Sequence, residues 1–576
     1  MITISYHLLR KDVEMRMTYS NSVTMVLITI LSLTIGGFVP ALVQAAEDTA
    51  NEMKEARRKA AHRQRRIIYN NDGGDIDTGW SSVTPESYLA LRMEHLVGTQ
   101  VDSIFWCPGC TTVYSYPTKV AETVDTVISD HYGPNSKPGI ARDNARSFME
   151  AGIDPLAMTV DFCHRNGIEC FISHRMNDVH DAHVSHWFLS KWKRDHPECL
   201  LGREGDNTRY GPDSPRYVWS ALDYEVPEVR DYLFRIMEEI CQGYDLDGLE
   251  LDWLKVPMFF RPTLDLEPVE PKHVKIMNDF VRRLRTMTEE VGRKRGRPLL
   301  LGCRVPRTVR HGLAVGLDVT TWLEEDLVDI LTLSAGYQPM AMASEVREMA
   351  DLAHQHDVML YPCISSSGIR GPLTEGEVSV EEHQRRPGAK PAWRGAAANI
   401  WNAGGDGVYV FNLFPEEPDD RFNRLGSTET LKGQNKLYAV DHLGGFVGWH
   451  LMALCQEGRL PMELSKDETT LAQLPVGEDI VANTPEGKTA KTTLRLRIRN
   501  LVSGDEVTVK LNGKSLGAAA PVEPLATEPA THWLELEPDP ALVKSGDNLI
   551  AVQLTTEREL PAPLVMDSLI LSLRYE

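Results

Sequence analysis

The chain has 576 residues, of which 42% are hydrophobic and 25% are charged, so its composition is that of an ordinary globular protein. This length is too great for one hydrophobic core and is enough for one large domain and a small one. The net charge of −21 at pH 7 argues against nucleic acids and anionic surfaces as partners, because they repel an acidic protein.

The N-terminal segment predicts export. Residues 1–45 are expected to be a signal peptide, because basic residues precede an apolar run, Val23–Val43, that is followed by a site of small residues. A permanent membrane anchor is the less favoured alternative, because the run contains glycines and Pro40 and no stop-transfer cluster follows. We therefore expect a secreted or periplasmic protein without stable membrane insertion after cleavage. Residues 46–66 form a charged lead-in, which suits a short helix or a disordered segment.

Residues 67–440 predict an α/β fold, a (β/α)8 TIM barrel. Short apolar runs alternate eight times with amphipathic helical stretches, which is the pattern of such a barrel. The runs are Ile67–Asn70, Ser103–Trp106, Glu169–Ser173, Gly248–Asp252, Leu299–Arg304, Asp329–Ser334, Met359–Ile364 and Gly407–Asn412. A doubly wound open sheet is the alternative. It is less favoured because IIYNNDGGDI, at the first run, lacks a GxGxxG phosphate loop.

The nine cysteines are an odd number spread along the chain and do not form a disulfide framework. Cys107 and Cys110 are the only close pair, which suggests either a tight disulfide or a metal site. A second set of cysteine or histidine ligands is missing nearby, so zinc is disfavoured. We interpret this pair as part of a structural loop after the second strand.

The third strand leads into a segment rich in histidine, with His174, His180, His183 and His186. A metal site is one interpretation, but the HExxH arrangement is absent and the segment continues as a surface helix. We prefer a sugar-binding cleft lined by His174, Asn177 and Asp178, with the later histidines at its rim. No metal and no other cofactor is expected.

The fourth strand carries two carboxylates in the run YDLDGLELDWLK. Glu250 and Asp252 share one face, about 7 Å apart, because side chains alternate along a strand. Burying two acids in so apolar a segment is costly unless they have a use. Hydrolysis of glycosidic bonds is the commonest reaction that needs such a pair. A buried ion-pair network that caps the strand is the alternative.

Polar groups also follow the other strands, at the end of a barrel where active sites form. Amides, carboxylates and arginines bind sugar hydroxyl groups, and aromatic faces cover the C–H surfaces of sugar rings. We therefore expect a carbohydrate substrate. The predicted substrate-binding residues are Asp72, Trp106, His174, Arg175, Asn177, Arg304, Tyr337 and Asn412.

Four segments together carry a family resemblance: YDLDGLELDW, RMND, LDYEVPEVRDYLFRIMEEI and WRGAAANIWNAGGDGVYVFNLF. They resemble the glycosyl-hydrolase-like barrels loosely grouped as "family 10-like" bacterial glycoside hydrolases. The likeness spans residues 67–440. It implies a (β/α)8 fold and carbohydrate hydrolysis, without naming the sugar.

Other glycosidase barrels disagree about the roles of the fourth-strand acids. Against the chitinase pattern DGxDxDxE, Leu254 replaces the acid that protonates the leaving group. The amylase-type pattern GFRxD matches Gly248 and Asp252 but lacks its arginine here, and no acid ends the seventh strand as in xylanases and cellulases. We expect Asp252 to be the nucleophile or base with Glu250 as its partner, and Asp178 or Asp72 as a competing second carboxyl. A non-catalytic carbohydrate-binding or scaffold protein on a decayed barrel is the alternative.

Residues 441–459 are expected to be a linker, and residues 460–576 a small all-β sandwich. Alternating segments such as TTLRLRIRN, DEVTVKLNGKSL and DNLIAVQLTT are separated by glycine, proline and Asn-Gly. They resemble the jelly-roll modules appended to glycoside hydrolases. Beyond Trp533 no aromatic platform stands out, so we expect the sandwich to brace the barrel.

Overall fold

A computed structural model gives the fold of most of the chain. The described residues are 51–73, 76, 82–133, 140–183, 188–211, 214–334, 343–365, 390–411, 413–414, 418–441, 460–466, 468–522, 530–555 and 562–576. The predicted signal peptide and all but the first residue of the predicted linker lie outside them. Among the described residues, no helix combines the length and the apolar character needed to cross a membrane.

Eight parallel strands close into a barrel in which each strand pairs with its neighbours in the sequence and the last pairs with the first. The strands are β1 (Ile67–Asn71), β2 (Val101–Trp106), β3 (Glu169–Arg175), β4 (Gly248–Asp252), β5 (Leu300–Pro306), β6 (Ile330–Ser334), β7 (Met359–Ser365) and β8 (Val408–Phe411). The predicted barrel is confirmed, and each predicted run overlaps one strand. A small sheet of three two-residue strands, the first at Gly109–Cys110, follows β2 and accounts for the Cys107–Cys110 loop.

Helices lie between the strands and around the barrel. They are α1 (residues 51–61), α2 (Pro85–Arg92), α3 (Val124–Tyr132), α4 (Ile140–Ala151), α5 (Pro155–Arg165), α6 (His180–His183), α7 (Lys191–Asp195), α8 (Asp206–Tyr210), α9 (Pro227–Gly243), α10 (Pro271–Arg295), α11 (Val309–Ala314), α12 (Val319–Glu324), α13 (Ala343–Gln355), α14 (Lys390–Asn402) and α15 (Thr428–Leu431). Helix α9 illustrates why these helices pack against the barrel. Its apolar residues three or four positions apart form a buried stripe: Val229, Leu233, Ile236 and Ile240.

An apolar cluster lies in the barrel interior near the start of β4. Phe105 and Phe171 stack there with ring centroids 4.3 Å apart. A Cβ at Gly248 would lie 2.0 Å from the Phe171 ring, so the glycine that opens β4 makes room for this aromatic pair. Because side chains alternate along a strand, the next inward positions of β4 are Glu250 and Asp252. Both acids therefore lie nearer to the carboxyl end of the barrel than the aromatic pair.

A buried ion pair lies at the amino-terminal end of the barrel. Nε of Arg65, which precedes β1, donates to Oε2 of Glu169 at 2.8 Å, and the Ser103 hydroxyl donates to the same oxygen at 2.6 Å. Nη1 of Arg65 donates to the carbonyl oxygen of Ala61 in helix α1 at 2.7 Å. These bonds attach helix α1, which lies in the charged lead-in, to strands β2 and β3.

The C-terminal part forms two antiparallel sheets, as predicted for an all-β unit. Its strands are β9 (Lys436–Asp441), β10 (Met462–Leu464), β11 (Thr470–Val476), β12 (Ala490–Leu501), β13 (Val507–Leu511), β14 (Lys514–Ala518), β15 (Ala520–Pro521), β16 (Ala530–Leu536), β17 (Gly546–Leu554) and β18 (Leu564–Tyr575). One sheet has the order β9-β18-β12-β16-β15, with β10 also beside β18, and the other has the order β11-β17-β13-β14. Strand β9 thus joins the C-terminal sheets, although all of it except Asp441 falls within the predicted barrel segment.

The two sheets contact the barrel through helix α14. A Cβ at Gly395 would lie 2.0 Å from the carbonyl oxygen of Leu437, and one at Gly477 would lie 2.1 Å from the carbonyl carbon of Ala398. Only glycine permits such an approach between backbones. The C-terminal unit therefore packs closely on the outside of the barrel.

Candidate active site

Asp252 ends strand β4 in a buried ion pair. Nη1 of Arg304, its register neighbour on β5, donates to both carboxylate oxygens at 2.8 Å. The backbone N–H of Leu254 donates to Oδ1 at 2.9 Å. These three bonds hold the Asp252 carboxylate in one orientation at the end of the barrel where active sites form.

Arg304 is itself held by the barrel wall. Its guanidinium carbon lies 4.1 Å from the ring centroid of Phe411, and Nη2 lies 3.4 Å from the Ser334 hydroxyl oxygen. Burial alone would lower the pKa of Arg304, but the charge of Asp252 and smaller contributions from Cys363, Tyr409 and Glu250 together more than compensate, and the net shift is upward. The positive charge beside Asp252 is therefore permanent.

Glu250 precedes Asp252 by two positions and has no exposed surface. The Tyr409 hydroxyl donates to Oε2 at 2.9 Å, while Oε1 has no hydrogen-bond partner of normal geometry among the described residues. Burial, and after it the charge of Asp252, raise the pKa of Glu250 to about 7, against the lowering effects of Ser173, Arg304 and Tyr409. A carboxyl group with this pKa is partly protonated near neutral pH and can supply a proton.

This pKa predicts a pH-dependent stability that the substitution Glu250→Gln removes. Below pH 4.5, the ordinary pKa of glutamate, Glu250 is protonated in the folded and the unfolded chain and carries no ionisation penalty. As pH rises from 4.5 to about 7, the unfolded chain loses this proton first, so the free energy of unfolding of the wild type falls relative to the variant.

We expect this relative loss to be on the order of 3 kcal/mol, measured by urea unfolding of both proteins at about pH 4.5 and about pH 8. A difference between the two proteins that is the same at both pH values would contradict the raised pKa of Glu250.

A second charged cluster lies next to Asp252, at the ends of β1 and β3. Arg175 is the register neighbour of Asp252 on β3, and its Nη1 donates to Oδ2 of Asp178 at 2.9 Å. Nη2 of Arg175 lies 3.4 Å from Oδ2 of Asp72, and Nζ of Lys255 lies 3.2 Å from the same oxygen. Two carboxylates and two cations therefore alternate beside the first ion pair.

The cations hold both acids of this second cluster ionised. Nδ1 of His180 lies 2.8 Å from Oδ1 of Asp178. Burial opposes ionisation of Asp178, but His180 and Arg175 bring its pKa well below the ordinary value. Burial also opposes ionisation of Asp72, and Lys255 and Arg175 lower its pKa. Neither carboxyl group is a proton donor near neutral pH.

Two predicted site residues lie outside the inward face of the barrel. His174 alternates with the inward Arg175, and the Tyr114 hydroxyl lies 3.1 Å from its Nδ1. Burial lowers the pKa of His174 to about 3, so it is neutral at physiological pH. Trp106 packs edge-on against Tyr88, with ring centroids 6.4 Å apart. The structure therefore places both side chains in the layer between strands and helices.

Asn177 links two loops of the backbone. Its Nδ2 donates to the carbonyl oxygens of Met258 at 2.6 Å and of Leu222 at 3.3 Å, and its Oδ1 accepts from the N–H of Leu222 at 3.0 Å. These bonds position the loops after β3 and β4. Tyr337 and Asn412, also predicted for the site, lie outside the described residues.

Two residues of the observed clusters were absent from the sequence-based prediction. Tyr409, the hydrogen-bond partner of Glu250, precedes the inward Phe411 by two positions. Because side chains alternate along a strand, this spacing could have identified Tyr409 as an inward residue. Lys255 lies three positions after Asp252 in the same run, but its ion pair with Asp72 bridges 183 positions. A contact of that kind has no sequence signal.

Cys110, Asp178 and His180 bring their potential ligand atoms within 4.8 Å of one another. Nη1 of Arg175 lies 2.9 Å from Oδ2 of Asp178 and 3.7 Å from Sγ of Cys110. A metal cation would have to displace this guanidinium group, and we therefore assign no metal to the group.

Comparison with known proteins agrees with the family resemblance. Residues 118–260, which include β3, β4, Arg175, Asp178 and Asp252, match a sequence family described as "Glycosyl hydrolase-like 10". A curated relative, "Glycosyl hydrolase YngK" of Bacillus subtilis (strain 168), is 26% identical over 138 residues, which are 23% of this chain and 23% of the relative. The expected resemblance is confirmed over this part of the barrel.

Solved structures similar to this chain include glycosidases and a transferase of glucans. The alpha-galactosidase from Lactobacillus brevis has a TM-score of 0.34 at 12% identity, over 86% of this chain and 56% of that one. The cycloisomaltooligosaccharide glucanotransferase from Paenibacillus sp., complexed with cycloisomaltoheptaose, has a TM-score of 0.32 at 8% identity, over 88% and 57%. This chain spans less than two thirds of the length of each of these proteins and of the curated relative.

Proposed function

We propose that this protein is a glycoside hydrolase that cleaves O-glycosidic bonds of a poly- or oligosaccharide at the carboxyl end of its barrel. One observation carries the proposal: Arg304 binds Asp252, which lies two positions after Glu250, whose pKa is about 7. Hydrolysis of a glycosidic bond needs one carboxyl group that is ionised and one that is protonated. Glu250 is partly protonated near neutral pH, and Arg304 orients the neighbouring Asp252 carboxylate.

The roles follow from the surroundings of each group. Asp252, oriented by Arg304, acts as nucleophile or base. Glu250 is the protonated partner, because among the carboxyl groups of the two clusters it is the one whose pKa is raised. Asp178 and Asp72 have lowered pKa values and balance the charges of the cations near the substrate.

Binding would use the groups around this pair. Arg175 and Lys255 lie in the second charged cluster and can donate to sugar hydroxyl groups. The protein would act outside the cytoplasm after removal of residues 1–45, and the C-terminal sheets would brace the barrel through helix α14. No cofactor is needed for this chemistry.

The test is turnover by the full chain on a broad panel of plant, algal and bacterial glycans, with release of reducing ends and the products identified. We expect at least one glycan to be hydrolysed. Measurable binding to a glycan without turnover of any member would replace the hydrolase with a non-catalytic carbohydrate-binding protein. If the chain neither binds nor hydrolyses any glycan of the panel, both proposals are overturned.

A further inference from the structure

A cavity of about 370 Å³ lies among the loops that follow β3 and β4. Its size is that of a small-ligand pocket. Four arginines line it, together with the aromatic ring of Tyr210. The arginines are Arg203, Arg209, Arg216 and Arg261. This lining stands out in a chain whose net charge is −21.

The cavity lies on the same face of the barrel as Asp252. Loops that follow parallel strands emerge at the carboxyl end, and both loops that build the cavity leave strands of the candidate site. Nδ2 of Asn207 in helix α8 donates to the carbonyl oxygen of Ala182 in helix α6, at 2.8 Å. Helix α6 begins two positions after Asp178. Helix α6 therefore lies between the second charged cluster and helix α8 at the cavity wall.

Two acids, Glu198 and Asp206, also line the cavity. Two of its four arginines pair with acids that do not line it, and one of these is Arg261, which lies 2.9 Å from Asp223. Oδ2 of Asp206 accepts from the backbone N–H of Arg203 at 2.9 Å. Arg216 pairs with Asp265 at 2.7 Å. In the part of the chain that the structure describes, the guanidinium groups of Arg203 and Arg209 have no carboxylate partner. Their charges are available to a ligand.

The ring of Tyr210 lies near two of these cations. Its side chain is 41% exposed, and its ring centroid lies 5.1 Å from the guanidinium carbon of Arg209 and 5.6 Å from that of Arg216. An exposed aromatic ring can stack on the C–H face of a sugar. Guanidinium groups beside it can bind a carboxylate or a sulfate through paired N–H donors.

We propose that this cavity binds the anionic substituent, a carboxylate or a sulfate ester, of a glycan whose neighbouring unit occupies the active site. The inference rests on the proposed function, because it names the substrate class of that site as an acidic glycan. The overall negative charge does not prevent such binding, since charges farther away than about 8 Å are largely screened at physiological salt. The nearby arginines then dominate the interaction.

The test is calorimetric binding to the full chain of three probes of equal length: tetragalacturonate, a sulfated carrageenan tetrasaccharide and neutral cellotetraose. We expect one or both anionic probes to bind more tightly than cellotetraose. Arg209→Gln should weaken that binding about 10- to 100-fold, and Tyr210→Ala should weaken it as well. The control is Arg235→Gln, an exposed arginine 5.8 Å from the Tyr232 ring on helix α9, which should leave binding unchanged.

Each outcome separates this inference from the proposed function. Tighter binding of the carboxylated or of the sulfated probe identifies which anion the arginines recognise. Equal binding of all three probes, no binding of either anionic probe, or binding that is insensitive to Arg209→Gln would overturn the inference and leave hydrolysis possible. Binding that depends on Arg209, together with no turnover on the glycan panel, would retain the cavity and overturn the hydrolase.

Discussion

Replacing Asp252 with glutamate is expected to lower kcat/KM about 10²-fold or more on any glycan that the wild type hydrolyses. The longer side chain keeps the charge that pairs with Arg304 but moves the carboxylate away from the reacting carbon, and a displacement of about 1 Å costs on this order. Asp252→Asn removes the charge and should cost about 10²–10⁴-fold. The measurement is initial rate against substrate concentration for each variant.

The control for both variants is Asp161→Asn, an exposed acid on helix α5 whose side chain is 64% exposed. It should retain wild-type kcat/KM. Thermal unfolding separates lost chemistry from lost folding, because Asp252→Asn leaves the buried Arg304 without its charged partner. Wild-type rates in a folded Asp252→Glu variant would contradict the role that we assign to Asp252.

The substitution Arg65→Met is expected to lower the free energy of unfolding by about 3–5 kcal/mol, because it leaves the carboxylate of Glu169 buried without its main partner. Arg65 has no exposed surface, and two of its nitrogens bond the two oxygens of Glu169 at 2.8 and 3.0 Å. Urea unfolding of variant and wild type measures the difference.

Arg63→Met is a matched control on the same carboxylate. Arg63 lies 3.6 Å from Glu169, but its side chain is 45% exposed, so water screens the pair. We expect this variant to cost less than about 1 kcal/mol. Equal costs for the two variants would show that burial does not determine the strength of this interaction.

The barrel was predictable because its signal is local. Each strand is a short apolar run between amphipathic helices, and the alternation repeats along the chain. The same two-residue period predicted that Glu250 and Asp252 share one face, and it also assigns His174 to the face opposite Arg175. The prediction that His174 and Trp106 line the cleft used only their place at the strand end, and the period of the strand places both outside.

The sequence by itself therefore determined the fold class, the C-terminal sheets and the position of Asp252 at the end of the fourth strand, because local periodicity specifies all three. Only the tertiary structure decided the chemical state of the acids. Arg304 lies 52 positions from Asp252, and Tyr409 lies 159 positions from Glu250. A pKa depends on burial and on charges nearby in space, and no pattern along the chain contains those distances.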